Sequence, residues 1–311
     1  MKIAVFGTGA VGGYFGGRLA ESGQDVTFIA RGAHLAAIRE NGLRVTSIKG
    51  DFVIHPAQAT DHPADVGVVD VVLVAVKTWQ VSDAAHAIQP MIGPDTMVVP
   101  LQNGVEAAGQ LRAVLGEKPV VGGFCRILSA MTGPGQIHHM ASEPYIAFAE
   151  LDNQPSARTQ RLYEAFVGAK VHCEIPADIE LAVWEKFLFV AAWGGVGAVT
   201  RAPIGVLRSI LETRVMLERS THEIYAIGLA HGVKFEPDIL GKTMMTYENL
   251  TAGGTTSMQR DIAEGRPSEL EGQIGAIVRL GHVSNVPTPL NETIFHALLP
   301  MEKRARGEIN F

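Results

Sequence analysis

The feature that most constrains this chain is the order of its first segments, which are an apolar strand, a glycine-rich turn, a helix and a second strand. Residues 2–6 are a short apolar run, and Gly7-Thr8-Gly9-Ala10-Val11-Gly12 follows at once. Residues 13–22 predict a helix and residues 25–29 a second strand. A G-x-G-x-x-G turn in this position is typical of dinucleotide-binding folds.

Each glycine of this turn has a separate physical task. Gly7 permits a tight turn, Gly9 lets the backbone approach a pyrophosphate, and Gly12 lets the helix pack closely on the strand. The helix that follows offers the N–H groups of its first turn to the phosphates. The residues predicted to bind the dinucleotide are Gly7, Thr8, Gly9, Ala10, Val11 and Gly12.

The end of the second strand predicts which dinucleotide is bound. An enzyme that uses NAD is expected to carry Asp or Glu there, whereas Arg suits the 2′-phosphate of NADP. Residues 27–32 contain no carboxylate and one arginine, Arg31, whose guanidinium can hold a phosphate through two parallel hydrogen bonds. A solvated surface arginine is the alternative interpretation. The sequence favours NADP(H).

The composition argues against several classes of partner. The formal net charge of −6 argues against a nucleic-acid or anionic-membrane partner, and no uninterrupted apolar stretch reaches the roughly 18 residues of a membrane helix. Two cysteines, Cys125 and Cys173, have no metal or redox spacing. The histidines also lack metal-ligand spacing, so no metal site is expected. A reducing, cytoplasmic location fits this pattern.

The pattern of segments changes once along the chain, and 311 residues are enough for two domains. Up to about residue 174, strands alternate with helices, which predicts a Rossmann-type, doubly wound, mostly parallel sheet. Beyond Pro176 no strand-type alternation occurs, and the helical segments are residues 179–192, 204–231, 237–247, 255–263, 271–283 and 289–306. We therefore predict an NADP-binding domain in residues 1–174 and an all-α substrate and catalytic domain in residues 175–311.

Two polar side chains follow strands of the predicted sheet. Lys77 follows the apolar run 68–76, and Asn103 follows the strand 96–100. The carboxyl ends of parallel strands face the bound cofactor in this architecture. Side chains that simply enter solvent are the alternative interpretation, and Asn103-Gly104 is by itself a turn signal.

Three further polar residues lie in the predicted helical domain. Lys186 stands beside a run of large apolar residues, and a partly buried lysine can donate a proton near neutral pH. A lysine that reaches its ammonium into water is the alternative. The simpler interpretation of Ser257 is that it caps or solvates a helix. The simpler interpretation of Glu269 is that it favours the start of the next helix.

Together these residues resemble the ketopantoate reductase (2-dehydropantoate 2-reductase) family over essentially the full chain. The resemblance implies reduction of a 2-oxo acid to a 2-hydroxy acid by NADPH, and 2-dehydropantoate to pantoate, in pantothenate biosynthesis, as the first choice of reaction. The matching features are the glycine turn, Arg31, residues 76–83, Asn103-Gly104, Trp184-Glu185-Lys186, Ser257-Met258 with Asp261, and Glu269.

The resemblance also implies a role for each residue. Lys186 would polarise the substrate carbonyl and protonate the developing alkoxide, Glu269 would hold the substrate hydroxyl, and Ser257 would contact the carboxylate. Asn103 would lie between cofactor and substrate. The residues implied to hold the NADP phosphates are Arg31 and Lys77.

The chain departs from the family pattern at three positions. Family members usually carry asparagines four and eight positions after the lysine and another further along, where this chain has Val190, Gly194 and Ile204. An apolar pocket discriminates weakly, so a paralogue that reduces a more apolar 2-oxo acid is the alternative. A non-catalytic NADPH-binding sensor is a third hypothesis, against which the retained Lys186 and Glu269 count. The apolar helical half is compatible with a homodimer.

Overall fold

The computed structural model describes all 311 residues, and the chain divides into two compact units. Unit 1 comprises Met1–Gln102 and Ala107–Ile179, and unit 2 comprises Asn103–Glu106 and Glu180–Phe311. Residues 103–106 belong with the helical unit although they directly follow a strand of the first sheet, so no local sequence pattern predicts this assignment.

The last residue of unit 1 lies a few positions beyond the predicted boundary at residue 174. The backbone N–H of Ile179 donates to the side-chain oxygen of Asn153 at 3.0 Å. Its Cγ1 atom lies 2.5 Å from the point that a Cβ atom on Gly122 would occupy. Ile179 therefore packs with the first unit, although it begins a helix of the second.

Unit 1 contains ten strands and five α-helices. The strands are β1 (Lys2–Phe6), β2 (Asp25–Ile29), β3 (Leu43–Ser47), β4 (Phe52–Ile54), β5 (Gln58–Thr60), β6 (Val71–Val74), β7 (Met97–Pro100), β8 (Gly122–Gly133), β9 (Gln136–Ala149) and β10 (His172–Glu174). The helices are α1 (Ala10–Glu21), α2 (Gly32–Asn41), α3 (Val81–Ile88), α4 (Ala107–Leu115) and α5 (Ala157–Gly168).

The first sheet has the strand order β5-β2-β1-β6-β7, and all of its pairings are parallel. Alternate residues of β1 enter different cores: Ile3 and Val5 pack with α1, whereas Ala4 and Phe6 pack on the opposite face. A strand that is covered on both faces has a continuous run of apolar residues, and this run allowed β1 to be predicted from the sequence. The Rossmann-type prediction is confirmed.

A second sheet lies beside the first in unit 1 and was not predicted as a separate sheet. Its order is β10-β9-β3-β4, and β8 pairs antiparallel with β9. Much of the long β8–β9 hairpin is exposed and lacks an apolar pattern, so its full extent is not predictable from the sequence. The same holds for β5, which is three residues long.

Unit 2 is entirely helical, as predicted. Its helices are α6 (Ile179–Thr200), α7 (Ile204–Ser209), α8 (Leu211–Ala230), α9 (Ile239–Asn249), α10 (Ser257–Ala263), α11 (Ala276–Ser284) and α12 (Pro289–Ala305), with a π-helical turn at Glu271–Gly275. The single helix predicted over residues 204–231 is two helices, because Ile210 has extended backbone angles.

Helix α6 contributes several side chains to the core of unit 2. By length and composition alone it is long and apolar enough to cross a membrane. Its side chains at Phe187, Leu188, Ala191 and Val196 are buried in the core of the unit. Core burial accounts for the apolar composition of this helix.

Candidate functional site

The three glycines of the N-terminal turn meet three different steric conditions. Gly7 has a positive φ of 97°, which favours glycine. A Cβ atom on Gly12 would lie 2.3 Å from the carbonyl oxygen of Gly7, so α1 can pack on β1 only without a side chain there. A Cβ atom on Gly9 would have nothing within 4 Å, and the backbone there is open to a ligand.

The turn leads into α1 and is hydrogen-bonded to the last residue of β2. The backbone N–H of Thr8 donates to the carbonyl oxygen of Ile29 at 3.1 Å, and its hydroxyl donates to the same oxygen at 2.9 Å. Gly9 is the N-cap residue and provides no side-chain cap. Ala10 and Val11 form the first turn of α1, where backbone N–H groups have no partner within the helix. These groups suit the pyrophosphate of a dinucleotide.

His34 on α2 supports this turn and was not among the predicted site residues. The Nδ1 atom of His34 accepts a hydrogen bond from the Gly135 backbone N–H at 2.9 Å, so the ring proton belongs on Nε2. The Nε2 atom then donates to the carbonyl oxygen of Thr8 at 2.6 Å. His34 thus fixes the position of the turn relative to the β8–β9 connection. No local sequence signal reveals this link, because Gly135 is distant in sequence.

The two predicted phosphate-binding cations lie in unit 1 beside the same sheet. Arg31 is the N-cap residue of α2 directly after β2, and its side chain is exposed. Lys77 is half-buried and follows Val76, whose side chain lies 2.8 Å from the Cβ position of Gly7. The structure therefore brings the backbone at Lys77 close to the glycine turn.

In unit 2, the structure brings together Asn103 and Glu269, two predicted site residues 166 positions apart. The side-chain Nδ2 of Asn103 donates to Oε2 of Glu269 at 3.5 Å. Gly104 has a positive φ of 118°, and a Cβ atom there would lie 2.9 Å from the carbonyl oxygen of Gly272. The change of chain direction at Asn103-Gly104 places the Asn103 amide within hydrogen-bonding distance of the Glu269 carboxylate.

A second amide binds the same carboxylate oxygen. Glu269 is 5% exposed, and its Oε2 atom also accepts from Nε2 of Gln273 at 3.4 Å. The backbone N–H of Gln273 donates to the Glu269 carbonyl at 3.0 Å, so the two residues are one helical turn apart. The sequence analysis did not single out Gln273.

The segment that carries Glu269 is anchored by a buried ion pair. Both carboxylate oxygens of Glu302 accept from the Ser268 backbone N–H, at 3.1 and 3.0 Å, and Oε2 also accepts from the Ser268 hydroxyl at 2.5 Å. Arg306 donates from Nε to the same carboxylate at 2.7 Å. Glu302 is 2% exposed, so α12 holds the residue next to Glu269 through well-buried bonds.

The predicted proton donor Lys186 is half-buried on α6. Lys186, Val190 and Gly194 follow one another at intervals of four residues and therefore lie on one face of the helix. The Cβ position of Gly194 is 3.6 Å from Oε1 of Gln273. This face of α6 is consequently directed toward the helical turn that begins at Glu269.

The remaining predicted residues of unit 2 are Ser257 and Ile204. Ser257 is the first residue of α10, but the N-cap is Thr256, whose hydroxyl accepts from the Gln259 N–H at 3.2 Å. The interpretation of Ser257 as a capping residue is therefore wrong. Ile204 is fully buried. No group of three or more His, Cys, Asp or Glu side chains is placed to hold a metal ion.

Comparisons with known proteins match both units. The family described as ketopantoate reductase PanE/ApbA matches residues 3–153, and its C-terminal counterpart matches residues 178–302. Among relatives, a 2-dehydropantoate 2-reductase from Nostoc sp. (strain PCC 7120 / SAG 25.82 / UTEX 2576) is 30% identical over 98% of this chain and 96% of that protein. An uncharacterized oxidoreductase, YkpB, from Bacillus subtilis (strain 168) is 30% identical over 95% of this chain and 97% of that protein.

Solved structures show the same architecture. A PanE/ApbA family ketopantoate reductase from Ralstonia eutropha JMP134 aligns with a TM-score of 0.89 and 30% identity, over 98% of this chain and 100% of that chain. A D-mandelate dehydrogenase bound to NADH and anilino(oxo)acetate aligns with a TM-score of 0.89 at 21% identity, over 98% of this chain and 99% of that one, a likeness of fold alone. The chain belongs to the ketopantoate reductase family of oxidoreductases that act on CH–OH groups.

Proposed function

We propose that this protein reduces a 2-oxo acid to a 2-hydroxy acid with NADPH, and that its substrate is 2-dehydropantoate, the precursor of pantoate in pantothenate biosynthesis. The observation that carries this proposal is the hydrogen bond between Asn103 and Glu269. The family resemblance assigns both residues to the site independently, and the fold of unit 2 joins them across most of the chain.

In the proposed reaction, a dinucleotide held by the glycine turn, Arg31 and Lys77 would supply the hydride for C2 of the substrate. The Lys186 ammonium polarises the C2 carbonyl oxygen and donates the proton that converts the alkoxide into the hydroxyl product, after which solvent restores the lysine proton. Ser257 contacts the substrate carboxylate, and the carboxylate of Glu269 accepts from the hydroxyl at the far end of the substrate. Because Glu269 is buried, we expect a substrate that lacks this hydroxyl donor to bind less well.

The proposed cofactor is NADP(H) rather than NAD(H). Arg31 is exposed directly after β2, and no carboxylate stands at that strand end to bind ribose hydroxyls. We propose that Arg31 and Lys77 contact the phosphates. An Arg31→Ala variant is expected to weaken NADPH binding by about 10- to 100-fold, the loss of one bidentate phosphate contact, while NADH binding changes little. Equal weakening of both dinucleotides in fluorescence titrations would contradict this assignment.

A second candidate function is the reduction of a more apolar 2-oxo acid. It is favoured by Ile204, which is fully buried, and by Val190 and Gly194, which replace amide side chains of the family pattern. The test is the loss of NADPH absorbance with a panel containing 2-dehydropantoate, 2-oxoisovalerate and 2-oxoisocaproate. A preference for 2-dehydropantoate of several orders of magnitude supports the first proposal, and turnover of the aliphatic acids alone supports the second.

The role of Lys186 separates an enzyme from a cofactor sensor. Lys186→Ala is expected to lower kcat by about 10²- to 10⁴-fold, the usual effect of removing a general acid, with the Kd for NADPH unchanged. Lys234, which is exposed in the same unit, provides a matched control, and Lys234→Ala should have normal activity. A wild-type protein that binds NADPH and reduces no 2-oxo acid would favour the sensor.

We also propose a cytoplasmic location. Both cysteines are buried and neither forms a disulfide, which suits a reducing compartment, and the curated relatives include 2-dehydropantoate 2-reductases. A homodimer remains part of the proposal, and sedimentation of the purified protein at several concentrations tests it. Fractionation of the source cells tests the location.

A further inference from the structure

Gln273 is a buried glutamine of which only one end is bonded. The residue is 1% exposed, and its Nε2 donates to Oε2 of Glu269 at 3.4 Å. Its Oε1 is buried and has no hydrogen-bond partner. Buried polar atoms are nearly always paired, because an unmet acceptor costs the desolvation of that group. The unmet acceptor next to Glu269 therefore requires an explanation.

The orientation of the amide follows from its neighbour. An ionised carboxylate only accepts hydrogen bonds, so the NH₂ end of Gln273 must face Glu269. The flipped amide would place its oxygen against the oxygen of the carboxylate. Gln273 thus presents an acceptor on the side away from the bond that it donates to Glu269.

The Oε1 atom of Gln273 faces α6 at Gly194, where the helix carries no side chain. A Cβ atom on Gly194 would be 3.6 Å from Oε1, 3.0 Å from Cε of Met258 and 3.3 Å from the hydroxyl of Thr256. Any longer side chain at position 194 would compete with the glutamine for this space. Position 194 is one of the three places where the family pattern has an asparagine and this chain does not.

We propose that Gln273 is the specificity-determining residue that takes over the missing amide function and selects 2-oxo acids bearing a hydroxyl group. Its Nε2 atom positions the Glu269 carboxylate, and its Oε1 atom adds a second acceptor beside that carboxylate. A hydroxyl supplies the donor that Oε1 of Gln273 requires, whereas an alkyl group leaves that acceptor unmet. This inference rests on the proposed 2-oxo acid reduction and specifies its substrate class.

The experiment compares two substrates that differ in one atom. Trimethylpyruvate is ketopantoate without its hydroxyl oxygen, so the ratio of their kcat/KM values isolates the hydroxyl contact. Gln273→Met preserves length and removes the amide. We expect it to lower kcat/KM for ketopantoate by about 10- to 100-fold, the loss of one buried hydrogen-bonding group, and to change that for trimethylpyruvate less than about threefold.

Gln259 provides a matched control for the general effect of replacing a buried glutamine. It is 5% exposed, donates from Nε2 to the Ala202 carbonyl at 2.9 Å, and also has an unbonded Oε1, but it contacts Gly197 rather than Glu269. Gln259→Met should leave the substrate ratio at its wild-type value. Gln273→Asn, which retains an amide too short to reach Glu269, should shift the ratio in the same direction as Gln273→Met and serves if the latter does not fold.

Returning the amide to α6 is the reverse test. In a Gly194→Asn/Gln273→Ala variant, the asparagine would occupy the space that the glutamine left, and a partial return of the ketopantoate preference relative to Gln273→Ala is expected. An equal loss for both substrates in Gln273→Met and Gln273→Asn would overturn the inference and assign Gln273 a structural role. A wild-type protein that reduces neither substrate would instead reject the proposed function itself, and this inference with it.

Discussion

The glycine turn of unit 1 and the Glu269 cluster of unit 2 are constructed by opposite means. At the turn, the decisive features are side chains that are absent: Gly12 leaves room for a carbonyl oxygen, and Gly9 leaves the backbone open. At the cluster, a carboxylate is held by side chains: Asn103 comes from a distant segment, and Gln273 lies one helical turn away. The backbone defines the first region, and side-chain hydrogen bonds define the second.

This difference determines how each region responds to change. Substitutions in the glycine turn should not have graded effects on stability, because an added methyl group either clashes with backbone atoms or contacts nothing. A network of amides and carboxylates loses one bond at a time, and each bond is worth about 1–3 kcal/mol when a charged or buried partner is left behind. The glycine turn should therefore fail abruptly and the Glu269 cluster gradually.

The largest expected effect is at Gly12. A methyl group in Gly12→Ala would lie 2.3 Å from the Gly7 carbonyl oxygen, and backbone cannot move as a flexible side chain can. We expect a loss of at least about 3 kcal/mol in the free energy of unfolding, measured by urea denaturation without cofactor. Gly9→Ala is the control: its methyl group meets nothing within 4 Å, so the free protein should keep its stability and only NADPH binding should weaken.

The next effect is on the anchor of the Glu269 segment. Glu302→Gln removes the charge that accepts from Ser268 and Arg306 in a buried setting. The free energy of unfolding should fall by about 1–3 kcal/mol, and kcat should fall with it because Glu269 adjoins Ser268. Glu308→Gln, at an exposed position just beyond α12, should change neither quantity. Normal stability of Glu302→Gln would show that the buried pair contributes little.

A smaller effect is expected at His34. His34→Leu leaves the Thr8 carbonyl without its donor and the Gly135 N–H without its acceptor. The Kd for NADPH should rise by about 5- to 10-fold, which corresponds to about 1 kcal/mol of lost positioning, while kcat at saturating NADPH stays the same. His62, whose exposed ring bonds only the adjacent Asp61, supplies the control variant His62→Gln.

The smallest expected effect tests a part of unit 1 outside both regions. Burial opposes ionisation of Glu150, but hydrogen bonds from Arg158 and Ser156 outweigh it and lower the pKa of this carboxyl. A lowered pKa stabilises the folded state above the unfolded pKa of about 4.3, and this contribution is lost as pH falls through the folded value. Arg158→Leu should therefore reduce stability by about 0.5–1 kcal/mol at pH 7 and by less near pH 3. An equal reduction at both pH values would contradict the assignment.

The fold of the first sheet was predictable because its signals are local. The buried strand β1 reads as an apolar run, and the turn after it has a fixed glycine spacing. The exposed parts of the β8–β9 hairpin carry no apolar pattern, so local signals do not define its full length. The pairing of β3 with β9 joins segments about ninety residues apart, which no local pattern encodes.

The candidate site was predictable to the extent that residue types alone reveal chemistry. Asn103 and Glu269 were named from the family resemblance, and their hydrogen bond is observed. Gln273 and His34 were not named, because an interior glutamine or histidine has no distinctive spacing. Their importance lies in which atoms they leave bonded or unbonded, and that property exists only in the folded chain.

The assignment of Asn103–Glu106 to the helical unit has a consequence for inheritance and engineering. The chain passes from one unit to the other three times, so neither unit is a continuous stretch of the gene. A fragment that starts at Glu180 would contain Glu269 but lack one of its two amide donors. A chimaera between two members of the family must therefore transfer this four-residue segment along with the helices, or it will combine a carboxylate from one parent with an amide selected in the other.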